Sequence, residues 1–482
     1  MTDWTMLASR PILAALLVLA ELAVLVRAML RPHREPTSRL AWVIVIIIAP
    51  IFGMIAYLMF GEARLSRSRR ARCKAINAEL PRPPSNAAAA AILADGAYGA
   101  PFALARTIDR LGPTSGNSAT LAADSNAAID EMVADIDAAH ESAHICFYIW
   151  LDDTNGLKLK DAVIRAAKRG VAVRVLADAL GSRGLIRTDH WAEMKRSGAE
   201  MRVALPVGSL LWTMIRGRVD LRNHRKLLIV DNRIAWCGSQ NAADPEFRLK
   251  PRFAPWVDIM TRWEGPVVRD CQFLFVSDWM GEHGDDISSL LKEPPPPMRG
   301  AITAQVIGTG PTTIYAVMTA CFAELVHSAR RELVITTPYF VPDEQLLLAI
   351  LSAGLRGVRT ILILPRNNDS RIVAATSRSH YSDLLKAGVE LYEYCGGLLH
   401  SKTMLVDGEV GLIGSANLDR RSFELNFENN ILFADEAFAA LIRARQDQYL
   451  ESSERVTAEE VANFGIPSRL WQNFLAMFGP LL

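Results

Sequence analysis

One sequence pattern occurs twice in this chain and constrains its fold more than any other feature. Residues 223–241 read NHRKLLIVDNRIAWCGSQN, and residues 399–417 read LHSKTMLVDGEVGLIGSAN. Both copies follow the spacing H-x-K-x4-D-x6-G-S-x-N. Six fixed positions at average residue usage arise by chance on the order of once in 10⁵ chains of this size or less. Two copies therefore indicate an internal duplication.

The sequence around the two copies repeats as well. A proline-rich stretch, KEPPPPM (292–298), separates two halves, and each half has a β-rich run, an amphipathic stretch and an apolar run entered through an Arg-Gly turn. The runs are HICFYIWLDD (144–153) and KRGVAVRVLAD (168–178) in the first half, and ELVITTPYFVPD (332–343) and LRGVRTILILP (355–365) in the second. This alternation predicts α/β units around a buried sheet. We expect two similar halves, 116–292 and 298–482.

Each motif copy predicts a β-hairpin. Asp407-Gly408 is a strong two-residue turn signal, and Asp231-Asn232 is a weaker one. Because alternate residues of a strand share a face, the returning strand brings a hydroxyl and a carboxamide beside the imidazole and the ammonium. The clustered side chains are His224, Lys226, Ser239 and Asn241 in the first hairpin, and His400, Lys402, Ser415 and Asn417 in the second. Such a set suits a phosphate, since it offers cations, neutral donors and a group able to attack or protonate.

The two motif aspartates have a different geometry. Asp231 and Asp407 lie at odd spacing from their histidines, so their side chains should point away from the phosphate. We expect them to shape the turns and to form local hydrogen bonds rather than to transfer protons.

The apolar residues are concentrated near the N-terminus. Residues 11–30 and 40–60 are each about as long as a membrane-spanning helix, which needs ~20 residues. No small-x-small cleavage site follows the first, so residues 1–61 are predicted to form a retained transmembrane helical hairpin rather than a signal peptide. The six basic residues in 64–74 outnumber the four in 27–39, which favours a cytoplasmic location for everything beyond residue 61. A basic juxtamembrane segment and linker should fill residues 62–115.

Composition restricts the possible partners. Lys plus Arg (53) nearly balances Asp plus Glu (52), so no general attraction to nucleic acid is indicated. The six cysteines are scattered without a CxxC, and the histidines outside the motifs show no HExxH spacing. These patterns predict no disulfide framework, no metal site and no cofactor.

The duplicated HxKxxxxD, each followed by GSxN, resembles the phospholipase D superfamily. The two apolar segments, the TPYFVPD run and the RSFELNFEN run (421–429) narrow the similarity to the bacterial cardiolipin synthases. The resemblance implies that both motifs, His224-Lys226-Asp231 and His400-Lys402-Asp407, form one catalytic site without metal. By that resemblance His224 attacks the phosphodiester to give a phosphohistidine and His400 is the general acid and base, although the sequence alone allows the reverse.

The resemblance also implies residues that support this chemistry. Lys226, Lys402, Asn241 and Asn417 would neutralise charge on the phosphoryl oxygens, with Ser239 and Ser415 beside them. A carboxylate should fix the orientation of each histidine. Glu428 matches the family position in the second half, and Asp258, in PWVDI (255–259), is the candidate in the first.

The implied reaction transfers a phosphatidyl group between two phosphatidylglycerol molecules, giving cardiolipin and glycerol, at the bacterial inner membrane. A hydrolytic phospholipase D, or a transferase that uses phosphatidylethanolamine as donor, would share every catalytic residue. A nuclease of the same superfamily is disfavoured, because it should show a basic groove and needs no membrane anchor.

Overall fold

The computed structural model describes residues 11–31, 36–61, 65–82, 91–92, 94, 96–206 and 221–477. The described residues fall into two compact units, one within Met1–Ser66 and a body that begins at Arg67.

In the part of the N-terminal unit that the structure describes, the helices are α1 (Pro11–Leu30), α2 (Pro36–Ile48) and α3 (Pro50–Phe60). Among the described residues, only the α1 segment Leu13–Leu30 is long and apolar enough to cross a membrane as a single helix. The predicted second span is interrupted, because Ala49 leaves the helical conformation and Pro50 has no N–H to continue the helix. The rings of Trp42 and Tyr57 lie 5.4 Å apart, edge to face. Residues 40–60 therefore form a tight helical hairpin and not one straight helix.

The body is built on one mixed sheet that contains both halves. Its strand order is β19-β13-β12-β10-β15-β16-β18-β9-β1-β8-β6-β5-β2-β3-β4. The order runs through equivalent strands on either side of the central β9–β1 pair, which is antiparallel. The prediction of two similar α/β halves is therefore confirmed.

The strands of the first half are β1 (Thr114–Leu121), β2 (Ser142–Phe147), β3 (Ala172–Asp178), β4 (Glu200–Ala204), β5 (Lys226–Val230), β6 (Ile234–Gly238), β7 (Trp256–Val257) and β8 (Met260–Glu264). Those of the second are β9 (Ile302–Thr309), β10 (Glu332–Thr336), β11 (Phe340–Val341), β12 (Arg359–Pro365), β13 (Glu390–Tyr394), β14 (Leu398–Leu399), β15 (Thr403–Val406), β16 (Val410–Gly414), β17 (Leu418–Asp419), β18 (Glu428–Ala434) and β19 (Ser453–Arg455).

Helices cover this sheet. They are α4 (Arg67–Glu79), α5 (Gly99–Asp109), α6 (Ser125–Asp137), α7 (Thr154–Lys168), α8 (Arg183–Ile186), α9 (Asp189–Arg196), α10 (Val267–Gly281), α11 (Val317–Ser328), α12 (Glu344–Leu355), α13 (Arg371–Ser379), α14 (Tyr381–Lys386), α15 (Arg420–Glu424), α16 (Glu436–Glu451), α17 (Ala458–Ala462) and α18 (Ile466–Ala476).

In both halves an aspartate caps the N-terminus of the helix that follows the first buried strand. Asp153 caps α7 by accepting the Gly156 N–H, and Asp343 caps α12 by accepting the Leu346 N–H, both at 3.0 Å. An aspartate at this position satisfies a donor that the first turn of a helix leaves unpaired. Each helix then returns the chain to a parallel neighbour strand, which pairs β2 with β3 and β10 with β12.

Candidate active site

Both motifs form β-hairpins, as their spacing predicts, but each connection is one residue longer than the two-residue turn expected, since Val230 pairs with Ile234 and Val406 with Val410. Strands β5 and β6 pair antiparallel, as do β15 and β16. The turn residues Asp231 (φ 49°), Asn232 (φ 52°), Asp407 (φ 55°) and Gly408 (φ 71°) all have positive φ. Positive φ at both central residues is the type I′ geometry that matches the twist of paired strands, and Asp, Asn and Gly tolerate it best.

The motif aspartates anchor the hairpin turns to the neighbouring strand of the sheet. Asp231 and Asp407 each accept three backbone N–H groups at 2.7–3.0 Å, from His140, Glu141 and Ser142 and from Arg330, Arg331 and Glu332 respectively. These donors stand where β2 and β10 begin, at the end of each hairpin remote from the histidines. The structure thus places both aspartates outside the cluster that contains the imidazoles.

The histidines and the two carboxylates pair between halves. His224 Nδ1 lies 2.9 Å from Glu428 Oε2, and His400 Nδ1 lies 2.6 Å from Asp258 Oδ1. We had expected each carboxylate to serve the histidine of its own half. The structure does the opposite, so that neither half contains a complete histidine–carboxylate pair.

Two short strand pairings cause this exchange. The His224 backbone N–H donates to Phe427 O at 2.9 Å, and the His400 N–H donates to Val257 O at 2.8 Å. Strand β14 accordingly runs parallel to β7, and Asn223 bridges to Phe427 in the same way. Each histidine therefore follows a short extended segment that lies beside the carboxylate-bearing segment of the other half.

The serines hold the carboxylates. Ser239 Oγ donates to Asp258 Oδ1 at 2.6 Å and accepts the Ile259 N–H at 3.0 Å. Ser415 Oγ donates to Glu428 Oε2 and accepts the Asn429 N–H at 2.9 Å. A hydroxyl has only one proton to donate. In this structure both hydroxyl protons are committed to carboxylates, and binding of the phosphate by these serines stays a prediction.

The two lysines lie buried at the start of the hairpins. Lys226 Nζ donates to His224 O and Lys402 Nζ donates to His400 O, each at 2.6 Å. Burial lowers the pKa of Lys226 to about 7 and that of Lys402 to about 8. Each lysine also lowers the pKa of the histidine in the other half, so the two motifs share one electrostatic environment. A bound phosphate would offer these ammonium groups the negative partner they lack.

The asparagines follow the returning strands of the hairpins, Asn241 after β6 and Asn417 after β16. Asn241 Oδ1 accepts the Ile149 N–H at 3.2 Å. Asn417 Nδ2 lies 3.4 Å from Asp419 Oδ2, and Asn417 Oδ1 is buried without a hydrogen-bond partner among the described residues. Both side chains are buried, but the observed register does not put them, by strand parity, on the face of the motif lysines as expected.

The two histidine–carboxylate pairs differ electrostatically. Burial raises the pKa of Glu428 to about 7 and holds the pKa of His224 well below its usual range. Burial would also raise the pKa of Asp258, but His400, Lys402 and Ser239 outweigh it and lower that pKa to about 2. Burial and Lys402 lower the pKa of His400, while Asp258 opposes them. The His400 pair thus keeps a charged carboxylate, whereas the His224 pair favours neutral partners.

Two aromatic side chains that sequence reasoning missed pack on the histidines. The Tyr148 ring lies 4.8 Å from the His224 ring, and the Trp256 ring lies 4.6 Å from the His400 ring. Tyr148 follows directly after β2, which neighbours β5, and Trp256 precedes Asp258 by two positions. That same-face spacing in PWVDI was the one signal available for Trp256.

Comparison with known proteins identifies relatives over almost the whole chain. The family profile described as "Cardiolipin synthase, PLD-like domain" matches residues 132–251 and 322–450, and "Phospholipase_D-nuclease N-terminal" matches residues 18–62. The chain is 36% identical over 466 residues to "Cardiolipin synthase A" of Serratia proteamaculans, covering 94% of each chain. It is 35% identical over 474 residues to the protein of that name in Yersinia pseudotuberculosis, again covering 94% of each.

A solved structure shares the fold. The phosphatidylserine synthase of Haemophilus influenzae Rd KW20 aligns with a TM-score of 0.57 and 14% identity, covering 86% of this chain and all of that one. With both family domains in place and relatives matched over 94% of its length, the chain belongs to the cardiolipin synthase family of phospholipase D-like proteins.

Proposed function

We propose that this protein transfers a phosphatidyl group from one phosphatidylglycerol to the hydroxyl of another, giving cardiolipin and glycerol. The observation that carries the proposal is the pair of buried histidines, each held at Nδ1 by a carboxylate from the other half. This arrangement leaves Nε2 of both rings for a substrate, and the relatives named cardiolipin synthase A support the choice of substrate.

In the first step, His224 Nε2 attacks the phosphorus of phosphatidylglycerol. The bond from phosphorus to the glycerol oxygen breaks, and His400 gives that oxygen the proton from its own Nε2. Free glycerol leaves, and the phosphatidyl group stays bonded to His224. This division of roles is supported by the charges, because the neutral His224 is the better nucleophile and the charged Asp258 favours a protonated His400.

In the second step, His400 is neutral and accepts the proton of a hydroxyl on the second phosphatidylglycerol. The resulting oxygen attacks phosphorus, the phosphorus–nitrogen bond breaks, and His224 is released as the free imidazole. One histidine thus acts first as acid and then as base, since an imidazole can both release and accept a proton. Splitting one displacement into two steps makes each step easier.

The lysines and asparagines would bind the phosphoryl oxygens in both steps. Lys226 and Lys402 supply positive charge in a buried site, where charge stabilises a developing anion far more than it does in water. Asn241 and Asn417, which follow the returning strands of the two hairpins, would supply carboxamides. Asp231 and Asp407 act at a distance, by fixing the hairpins on which the lysines stand.

We further propose that the protein is held in the bacterial inner membrane by its N-terminal unit, with the body in the cytoplasm. The apolar helix α1 supports the membrane anchor, and the basic residues that follow residue 26 support the orientation.

The test is incubation of the purified full chain with phosphatidylglycerol vesicles that carry label in the glycerol headgroup and in the acyl chains. Cardiolipin together with free glycerol is the expected outcome. Phosphatidic acid as the only phospholipid product would overturn the proposal in favour of hydrolysis. Cardiolipin formed only when phosphatidylethanolamine is added would overturn the choice of donor.

Variants of the two histidines test the mechanism in the same assay. His224→Asn and His400→Asn should each abolish turnover, whereas His327→Asn, a change at an exposed histidine, should leave it unaltered. After a quench with denaturing detergent at neutral pH, which preserves an acid-labile phosphohistidine, labelled lipid on His224 in the His400→Asn variant would show that the first step proceeds without its acid. Near-normal turnover by either motif variant would overturn the shared site.

A further inference from the structure

The helical hairpin of α2 and α3 has an apolar outer surface, and its two arms pack closely against each other. Leu40–Phe60 contains no charged residue. In a straight helix Trp42 and Tyr57 would stand ~22 Å apart, so their contact requires the chain to reverse direction at Ala49–Pro50. Gly53 makes the reversal possible, because a Cβ at this position would lie 2.5 Å from Val45 O.

Neither arm of the hairpin is long enough to cross a bilayer. Helix α2 has 13 residues and α3 has 11. At 1.5 Å per residue these arms measure ~20 Å and ~16 Å, against ~30 Å for the hydrocarbon core. A chain that enters along α2 and reverses must leave along α3 on the face where it entered.

The tip of the hairpin carries exposed apolar side chains, which fit the hydrocarbon interior of a membrane. The side chains of Ile48 and Phe52 are 77% and 74% exposed. At the reversal the Ala49 N–H donates to Val45 O at 3.1 Å, the Gly53 N–H donates to Ala49 O at 2.5 Å, and Pro50 has no N–H. Backbone donors inside a bilayer must find partners within the protein. The exposed apolar surface of the tip then fits the acyl chains of one leaflet.

The distribution of charge gives independent support. Four arginines lie in residues 27–39 and six basic residues lie in 64–74, whereas residues 1–10 contain Arg10 and Asp3 as their only charged side chains. At the open end of the hairpin, Arg39 Nη2 donates to Arg31 O at 2.9 Å. If 40–60 crossed the bilayer, the two basic clusters would lie on opposite faces and oppose each other. If the chain re-enters, all ten cations lie on one face, in agreement with the positive-inside rule.

We propose that residues 40–60 form a re-entrant hairpin in the cytoplasmic leaflet, and that the chain crosses the membrane once, through α1. Its N-terminus then lies on the periplasmic side, and both basic clusters face the cytoplasm. This topology differs from a two-span anchor with a cytoplasmic body in two measurable respects, which are the side on which residue 2 lies and whether residues 31 and 68 lie on the same side.

The experiment is labelling of single cysteines in the full chain with a membrane-impermeant maleimide. The background is Cys73→Ser with Cys395→Ser, since the other four cysteines are buried. Into it we introduce Thr2→Cys, Arg31→Cys or Ser68→Cys, one at a time. In intact spheroplasts only Thr2→Cys should react, and after permeabilisation all three should react. Reaction of Arg31→Cys and Ser68→Cys on opposite faces would overturn the proposal, and so would reaction of both from outside.

A matched variant shows that the assay can detect a second span. Pro50→Leu combined with Gly53→Leu removes the break and the close approach, which leaves a continuous apolar run of ~32 Å. In that chain Arg31→Cys and Ser68→Cys should react on opposite faces. Labelling does not depend on turnover, so its result is separate from that of the lipid assay.

Discussion

Replacing Asp258 by Asn should slow the reaction by about 10²-fold through its effect on His400. A pKa lowered from 3.8 to about 2 corresponds to about 2 kcal/mol of net stabilisation of the carboxylate. His400 is the first of the favourable partners that produce this shift. By linkage, loss of the Asp258 charge weakens proton binding at His400 by an amount of the same order. The variant keeps the volume of the side chain, so the packing around Trp256 is retained.

The assay is turnover of labelled phosphatidylglycerol at pH 7, compared between Asp258→Asn and the matched variant Glu428→Gln. Glu428 has a pKa raised to about 7 by burial, so a neutral amide resembles the form that this carboxyl group partly adopts. We therefore expect Glu428→Gln to lose about tenfold or less. A loss in Glu428→Gln equal to or larger than that in Asp258→Asn would refute the charge asymmetry. Unchanged turnover in Asp258→Asn would refute the pairing of this carboxylate with His400.

Three further predictions follow from the site. Because burial lowers the pKa of Lys226 and Lys402 to about 7 and about 8, these groups lose their charge as pH rises. In a pH–rate profile, kcat/KM should fall by up to about tenfold per pH unit between pH 7 and 8 and by up to about a hundredfold per unit above pH 8, where both charges are lost. Ser415→Ala removes a donor to Glu428 and should lower kcat about tenfold with KM nearly unchanged, whereas a large rise in KM would show that the serine binds substrate. Asp407→Ala loses three backbone hydrogen bonds to a charged acceptor and should cost about 2 kcal/mol of unfolding free energy in a denaturant titration, while kcat of the folded fraction stays within about threefold.

The sequence allowed the hairpins and the outward aspartates to be predicted because both follow from local periodicity. The spacing from His224 to Asp231 sets the face of each side chain, and the turn residues set the register. The partner of each histidine could not be predicted in this way, because the β7–β14 pairing joins segments about 140 positions apart in the chain. Each serine contacts the carboxylate of its own half, but that carboxylate lies on a segment outside the hairpin, which local periodicity does not position.

The N-terminal region shows a second limit of prediction from sequence. Length and hydropathy predicted a span over 40–60, and both properties are the same for a straight helix and for a closed hairpin. The difference lies in Pro50 and Gly53, which lipid-embedded helices tolerate and which here coincide with a reversal of the chain. Composition measures how much apolar surface a segment carries, whereas the direction of the chain depends on a few backbone positions.

The exchange of carboxylates between halves has a consequence for the origin of the protein. An ancestor that consisted of a single repeat would have carried a histidine without an orienting carboxylate within reach, and it could have worked only as a symmetric pair. Self-association must then have come before gene duplication. Fusion of the two copies then replaced a reversible association by a covalent one. Once fused, the copies were free to diverge, which is how Glu428 and Asp258 could acquire opposite pKa shifts while each continued to serve the histidine of the other copy.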